Sequence, residues 1–333
     1  MTDTDKKSMV ALTTYSGMSG KDVSEITGIS QSSLLRSRRR LLDAGVLKPV
    51  KIPNFGRIGY DVIFSSFGVV KEKRGDGIVP RIPGIFQLVL ERSKGFGTGV
   101  ARDYVDFYRL LIQFRERYPW IDEERFGFHV FPIGLTDFWR FEEYGPLLSD
   151  NFSVSIDTEG TPGTPMKGPV YRFGKGEWEV YKALIEKPSM SVESMASLLG
   201  TSRQRVYRLD RVFREEKLYT DRMIPNLKML GYEMLMFASW NMASGEHEQL
   251  DKFMRKGGMP AAFFMMGSPI EGVMVSAFKS FRESSRISDS VAKMRRSIGA
   301  DKQELDLVFL SMPDTSMTVD FSSVFNMGNE LIL

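Results

Sequence analysis

Arginine is the residue type whose clustering points most directly to chemistry. Arg36, Arg38, Arg39 and Arg40 stand together early in the chain, and Arg203, Arg205, Arg208, Arg211 and Arg214 form a second group. A guanidinium carries a planar fork of donors that matches phosphate oxygens and the O6/N7 edge of guanine, so arginines along one helix face suit duplex DNA. The candidate DNA contacts are Gln31, Ser32, Ser33, Arg36, Arg39 and Arg40 in the first group, and Arg203, Gln204, Arg205, Tyr207, Arg208 and Arg211 in the second. A solvated basic face is the plainer alternative. Net charge is only +3, so any such surface is local.

Other chemistries are poorly supplied. The chain has no cysteine, which removes disulfides, thiolate catalysis, iron–sulfur clusters and cysteine-bound zinc. Its two histidines, His129 and His247, read as ordinary packed or surface residues rather than general bases. No acidic cluster offers a carboxylate metal site, so neither a metal nor a cofactor is expected. Of 20 methionines, 17 lie from Met166 onward and read as core filling.

With 333 residues, 42% hydrophobic and 26% charged, the chain should fold as several compact domains. The stretch from Met1 to Lys7 is polar, and apolar runs such as Asp61 to Val70 are too short to span a bilayer, which reads as a soluble cytoplasmic protein.

The two arginine groups are related by an offset of 172. From Ser8 to Tyr60 against Val180 to Tyr232, 13 of 53 positions are identical without a gap. Gly28-Ile29-Ser30 meets Gly200-Thr201-Ser202, Arg36 meets Arg208, and Arg39 meets Arg211. Ile52-Pro53-Asn54 with Gly59-Tyr60 recurs as Ile224-Pro225-Asn226 with Gly231-Tyr232. The register points to a tandem duplication.

Each copy begins with three helices. In the first, Ser19 caps a second helix with Val23 and Ile26 facing inward, Gly28 makes the turn, and Ser30 caps a third helix, Gln31 to Ala44, with Leu34 and Leu41 in the core. Gly45 ends it, and Val46 to Ile52 follows as a wing-like strand. The second copy repeats this with a third helix from Arg203 to Glu216 burying Val206 and Phe213, but Lys217 stands where Gly45 does. A β-α-β-β-α-β order follows each time. In copy one the strands are Asp61 to Val70, Ile85 to Arg92, Gly99 to Asp103 and Phe126 to Phe131, with a helix from Val105 to Arg117. In copy two they are Glu233 to Met242, Ala261 to Met266, Gly272 to Phe278 and Leu305 to Ser311, with helices Ser244 to Lys256 and Phe281 to Ile298. Lys71 to Pro83, where copy one would carry its first helix, holds two glycines and two prolines. Asp137 to Leu148 reads as a packed extension, and Asp150 to Lys167 as the linker between copies.

In Gly28-Ile29-Ser30, Arg36, Leu41, Gly45-Val46-Leu47 and the exit to Gly59-Tyr60, the chain resembles the leucine-responsive regulator (Lrp/AsnC) family. The resemblance implies an α+β fold: two tandem copies of a winged helix-turn-helix followed by a ferredoxin-like βαββαβ domain. The corresponding domains are 1–52, winged helix-turn-helix; 53–134, ferredoxin-like; 135–172, extension and linker; 173–224, second winged helix-turn-helix; and 225–333, second ferredoxin-like. It also implies double-stranded DNA as partner, self-association through the ferredoxin-like domains, and a small-molecule effector. The effector loop departs from the family's Gly-Asp pair, with Ser93-Lys94-Gly95-Phe96-Gly97 and Ser268-Pro269-Ile270-Glu271-Gly272 in its place.

The expected function is therefore a sequence-specific DNA-binding transcriptional regulator, not an enzyme. One alternative is a protein-interaction adaptor built on winged helices. Another follows from siroheme decarboxylases, which look like the same pair of domains and depend on histidines and a polar strand motif. The strand Glu271 to Ser276 has no histidine, which sets catalysis behind DNA binding.

Overall fold

The computed structural model describes residues 1–70, 82–117, 121–154, 166–243, 245–253, 262–297 and 305–328. The chain runs through α1 (Asp3–Thr14), α2 (Gly20–Thr27), α3 (Gln31–Asp43) and β1 (Leu47–Pro53), then β2 (Val62–Val70), β3 (Ile85–Leu90), β4 (Lys94–Ala101), α4 (Tyr104–Arg117) and β5 (Ile121–Pro132). A short strand β6 (Asp137–Arg140) and α5 (Gly145–Phe152) precede the second half. That half comprises α6 (Glu177–Glu186), α7 (Val192–Leu198), α8 (Arg203–Glu215), β7 (Tyr219–Pro225), β8 (Met234–Asn241), α9 (Glu246–Phe253), β9 (Ala262–Gly267), β10 (Glu271–Phe278), α10 (Phe281–Ser297), β11 (Leu305–Ser311) and β12 (Ser316–Val319). The fold is α+β, with winged helix-turn-helix and ferredoxin-like modules, as the sequence leads one to expect.

Local chemistry sets the helix ends. Ser19, Ser30, Ser191 and Ser202 each accept a backbone N–H of the first turn that would otherwise lack a partner. Gly28 closes α2 at φ 68°, and Gly45 ends the turn after α3 at φ 69°. Lys217 adopts the same left-handed conformation at φ 52° without being glycine, so the exit from α8 keeps its geometry at a local conformational cost. Val23, Leu34, Leu41, Val206 and Phe213 are buried as expected, whereas Ile26 is 49% exposed. A helix of two turns packs along a single line, and Val23 occupies it.

The sheets are antiparallel, in the orders β12-β3-β4-β2-β5 and β11-β8-β10-β9-β6, with β1 and β7 forming a separate two-stranded sheet. Leaving out β12 and β6, each five-stranded sheet has its strands in the spatial order fourth, first, third, second of the βαββαβ unit. The glycine-rich β4 begins at Lys94, earlier than the Gly99 start that the sequence suggests, because ladder pairing continues through Gly95, Gly97 and Gly99. The segment from Lys71 to Pro83 lies outside the described residues up to 81, as does the linker core, 155–165.

The chain divides into two compact units. The first comprises Met1–Pro49, Asp137–Thr164 and Asp221–Pro313, and the second Val50–Thr136, Pro165–Thr220 and Asp314–Leu333. Each unit therefore takes its winged helix from one half of the chain and its ferredoxin-like sheet from the other. Each sheet also gains a fifth strand from beyond its own βαββαβ unit, β6 beside β9 and β12 beside β3. In the first unit Tyr232 accepts from Asn151 Nδ2 at 3.0 Å, tying the start of β8 to α5. In the second, Tyr60 donates to the Val324 carbonyl at 2.6 Å, and burial pushes its phenol up to about 12. No described helix is long and apolar enough to cross a membrane.

Candidate functional site

The first ferredoxin-like sheet carries the feature best suited to a ligand. Side chains alternate along a strand, so register decides which residues share a face. On β2, Val62, Phe64, Ser66 and Gly68 face the same way as their β4 partners Ala101, Gly99, Gly97 and Gly95 and their β5 partners Pro132, Val130, Phe128 and Phe126. α4 lies on this face: Phe107 packs with Val62, Phe64 and Ala101 in one buried cluster.

The glycines shape what remains. A Cβ at Gly99 would stand 2.5 Å from Phe64 Cζ, and one at Gly68 would collide with the Phe126 ring, so both rings lie flat on bare backbone. The aromatic wall continues at centroid separations of 5.2 Å for Phe64 to Phe107, 5.7 Å for Phe107 to Phe128 and 4.6 Å for Phe126 to Phe128. Phe114 stacks on Phe126 at 5.4 Å with 23° between the rings. Between sheet and helix is a narrow cleft of about 20 Å³, lined by these rings with Ser66, Leu110 and Leu111, and by Ile82, Pro83 and Ile85 at one side. That space admits about one water molecule, so a larger ligand would meet these apolar rings at the cleft's mouth. Ser66 donates to the Gly97 carbonyl at 3.4 Å and is the polar side chain among the lining residues. Arg109 and Arg115 are exposed on α4 beside the lining residues Leu110 and Phe114. Arg109 and Arg102 share Asp106, whose hydrogen bond to Arg102 holds that guanidinium above its ordinary range.

The other face of this sheet bears a polar row. Gln87, Thr98, Ser65 and His129 are successive register partners on β3, β4, β2 and β5. Thr98 Oγ1 donates to Gln87 Oε1 at 3.2 Å, and Ser65 and Thr98 hydroxyls are 3.5 Å apart. His129 lies against the Phe67 ring at 5.9 Å. Neither histidine lines the cleft. His247 is on α9, with Nε2 3.4 Å from Asp137.

The second ferredoxin-like sheet, of the same topology, carries other residues at these positions. At the positions of Phe64, Ser66 and Gly68 it carries Met236, Ala238 and Trp240, and at that of Gly97 it carries Met274. These pack with Leu250 of α9 and Val291 of α10 into a closed core. The methionines fill the core there, as the sequence suggests. At the polar row, His129, Ser65, Thr98 and Gln87 are matched by Val308, Phe237, Val275 and Phe264.

The residues that the sequence nominates for DNA lie elsewhere. Gln31, Ser32, Arg36, Arg39 and Arg40 are exposed on α3, with Ser33 half-buried beneath them. Arg203, Gln204, Tyr207, Arg208 and Arg211 are exposed on α8, and Arg205 is half-buried. Several are already engaged: Arg40 with Asp5, Arg39 with Asp43 at 3.7 Å, Arg203 with Glu193 at 3.1 Å, Arg211 with Glu215 at 3.1 Å, and Arg205 with the Lys175 carbonyl at 2.7 Å. The cleft residues are absent from the sequence reading. A usable signal was present in Gly95-Phe96-Gly97-Thr98-Gly99 and the Ser65-Ser66 pair, small residues inside strands that should fill a core.

No protein-family model matches the chain, and no curated protein does. Among solved structures, the siroheme decarboxylase NirDL matches with a TM-score of 0.52 and 12% identity over 99% of this chain and 98% of that one. NirDL in co-complex with an iron-uroporphyrin III analogue matches with a TM-score of 0.52 and 11% identity over 99% of both chains. An AsnC family transcriptional regulator from Agrobacterium tumefaciens matches with a TM-score of 0.32 and 14% identity, over 41% of this chain and 90% of that one. The likeness to NirDL is one of fold.

These matches correct two expectations, that the chain is a DNA-binding transcriptional regulator and that it is not an enzyme. The likeness that spans both halves of the chain is to an enzyme. The physical reason is that winged helices and ferredoxin-like sheets serve both classes, and exposed arginines on a helix are also what a solvated face displays. Moreover, the strand from Glu271 to Ser276 lies in the second sheet, where Met274 is buried in the core.

Proposed function

We propose that this chain is an enzyme of the siroheme-decarboxylase type, which takes a carboxylated tetrapyrrole at the cleft of the first ferredoxin-like sheet. The observation that carries the reading is the likeness in fold to NirDL across both halves of the chain, and the aromatic wall of the first sheet is the surface on which a flat ring would dock. The likeness in fold to NirDL, along with that enzyme's co-complex with an iron-uroporphyrin III analogue, supports the ligand class.

The chemistry fits the cleft's walls. A tetrapyrrole is a flat aromatic ring system with charged carboxylates at its periphery. Phe64, Phe107, Phe126 and Phe128 offer ring contacts to one edge of the plane, in offset or edge-on geometry. Arg109 and Arg115 stand on the exposed side of α4, where peripheral carboxylates remain in water and pair with guanidinium groups. The cleft is too narrow to enclose such a ring, so the ring would lie against its mouth with the carboxylate edge outside the apolar walls. In the reaction a ring-bound acetate loses carbon dioxide by breaking its carbon–carboxyl bond. The electron pair left on the methylene carbon takes a proton, which gives a methyl group.

The two halves are read as tandem copies, supported by the matching register from Ser8 to Tyr60 and from Val180 to Tyr232. Binding is tested by titrating the chain with iron-uroporphyrin III and following the tetrapyrrole's absorbance. A saturable spectral change that weakens about tenfold in Phe128→Ala is the expected result. An unchanged spectrum at high protein concentration would overturn the reading.

A further inference from the structure

The segment that runs from β6 into α5 is an arm laid along the edge of the second sheet. β6 pairs with β9, Asp137 against Gly267 and Arg140 against Met265, and Arg140 donates to the Ala262 carbonyl at 3.3 Å. Just beyond, the Glu143 N–H donates to the Phe263 carbonyl at 2.8 Å, and the Glu143 carboxylate meets Arg222 of β7 at 3.1 Å. Tyr144 stacks on Phe263 at 4.6 Å with 12° between the rings, and Phe141 lies 5.1 Å from Phe264. α5 then carries the arm to α1, where a Cβ at Gly145 would collide with Thr14 Oγ1.

Glu142 is the elbow of this arm. Its backbone is left-handed at φ 54°, a conformation that disfavours an L side chain and persists where the surroundings hold it. Its carboxyl is buried, with 1% of the residue exposed, and accepts from the Tyr144 hydroxyl at 2.7 Å. The buried carboxyls of Asp5 and Asp106 face guanidiniums, those of Arg40 and Arg102. A phenol steadies a carboxylate less than a guanidinium does, so burial prevails and pushes the Glu142 carboxyl up to about 7. The charged groups around the elbow are Arg140 of β6, Glu143, and Arg222 of β7 with Asp221 beside it. Burial raises the Glu143 carboxyl too, and Arg222 and Arg140 pull it back.

We infer that the arm is a strap released by loss of a proton: neutral Glu142 holds the elbow against β9, and ionised Glu142 lets residues 141–148 lift from the sheet edge while the first sheet stays closed. The driving force is solvation, since a carboxylate in an apolar setting gains by reaching water. The left-handed backbone at the elbow is free to relax in the same motion. The closed strap has the higher carboxyl pKa, so closure is fully favoured below pH 4.5 and weakens as pH rises through about 7.

Hydrogen exchange of the full chain at pH 5 and pH 8, with each amide corrected for its intrinsic pH dependence, tests the strap. Protection across residues 141–148 should fall by about tenfold or more from pH 5 to pH 8, while protection in β2 and β4 holds. Glu142→Gln stays neutral and should abolish the fall. Tyr144→Phe removes a donor that steadies the ionised form, so the fall should move to higher pH, and this variant decides the case if Glu142→Gln does not fold. Equal protection of the arm at both pH values, or a fall shared equally by β2 and β4, would overturn the inference. So would a fall that persists in a folded Glu142→Gln or, failing that variant, one that keeps its midpoint in Tyr144→Phe.

Discussion

Gly97 on β4 and Met274 on β10 hold the same register position in two sheets of one topology, and Met274 is buried in the second sheet's core. A methionine fills with its side chain what a glycine leaves to its neighbours, so the two sheets pack differently through a few side chains. From that relation follow expectations for stability as well as for function.

Phe107 is buried between Phe64, Phe128 and the sheet, whereas Phe114 is half-buried on the same helix. Phe107→Ala should cost about 3 kcal/mol of stability or more, as large-to-small changes of buried rings do. Phe114→Ala should cost about half of that or less and should weaken ligand binding more than it weakens the fold. Denaturant unfolding and the tetrapyrrole titration, run on both variants, separate the two effects. Equal losses of stability would mean that the cleft's mouth is packed like its base.

Glu142 is fully buried, and burial pushes its carboxyl up to about 7 from an ordinary 4.5, with the Tyr144 hydroxyl at 2.7 Å pulling it partly back. A carboxyl raised in the folded state keeps its proton there while the unfolded chain has lost it. Its contribution is therefore fully present below pH 4.5 and is lost as pH rises through about 7. The ceiling is about 3 kcal/mol. Glu142→Gln should leave stability at pH 4 nearly unchanged and raise it at pH 8. Melting curves at the two pH values check this, and a variant that gains equally at both would show that the carboxyl does not titrate in the folded chain.

Lys217 sits at φ 52° where its counterpart Gly45 sits at φ 69°. Lys217→Gly should stabilise the chain by about 1 kcal/mol, since glycine enters the left-handed region without the Cβ penalty. The reverse change, Gly45→Ala, should destabilise by a similar amount. Thermal melts of the pair should shift in opposite directions. A loss of stability in Lys217→Gly would mean that contacts of the lysine side chain outweigh the backbone term.

The arginines that first draw the eye should be silent in this chemistry. Replacing Arg36, Arg39, Arg208 and Arg211 together by Ala removes charge from the exposed faces of α3 and α8 and touches none of the cleft. Tetrapyrrole affinity in the quadruple variant should match the wild type within about twofold, and a greater loss would place the ligand elsewhere than the cleft.

Much of the architecture is written in local residue patterns. Ser19, Ser30 and Ser202 begin helices because a serine oxygen meets first-turn N–H groups, and Gly28 and Gly45 end them because they enter the left-handed region cheaply. Those signals act over a few residues and are visible to anyone reading the chain. β6 and β12 are invisible in the same way that they are short: four residues each, with no periodicity to speak of, and they become strands only because β9 and β3 offer an edge. The cleft escaped notice for a related reason. Gly95 to Gly99 looks like a loop until its backbone is seen to pair on both sides with β2 and β3. The offset of 172 sets Gly68 against Trp240 but Gly97 against Pro269, so the equivalence of Gly97 and Met274 emerges only from the strand ladders.

The central claim is that the chain removes carboxyl groups from a tetrapyrrole. It is tested most directly by incubating the purified full-length chain with siroheme under anaerobic conditions and measuring the mass of the recovered tetrapyrrole over time. The account predicts successive losses of carbon dioxide that scale with enzyme concentration and are suppressed in Phe128→Ala. Recovery of unaltered siroheme by a folded chain that binds it would contradict the account.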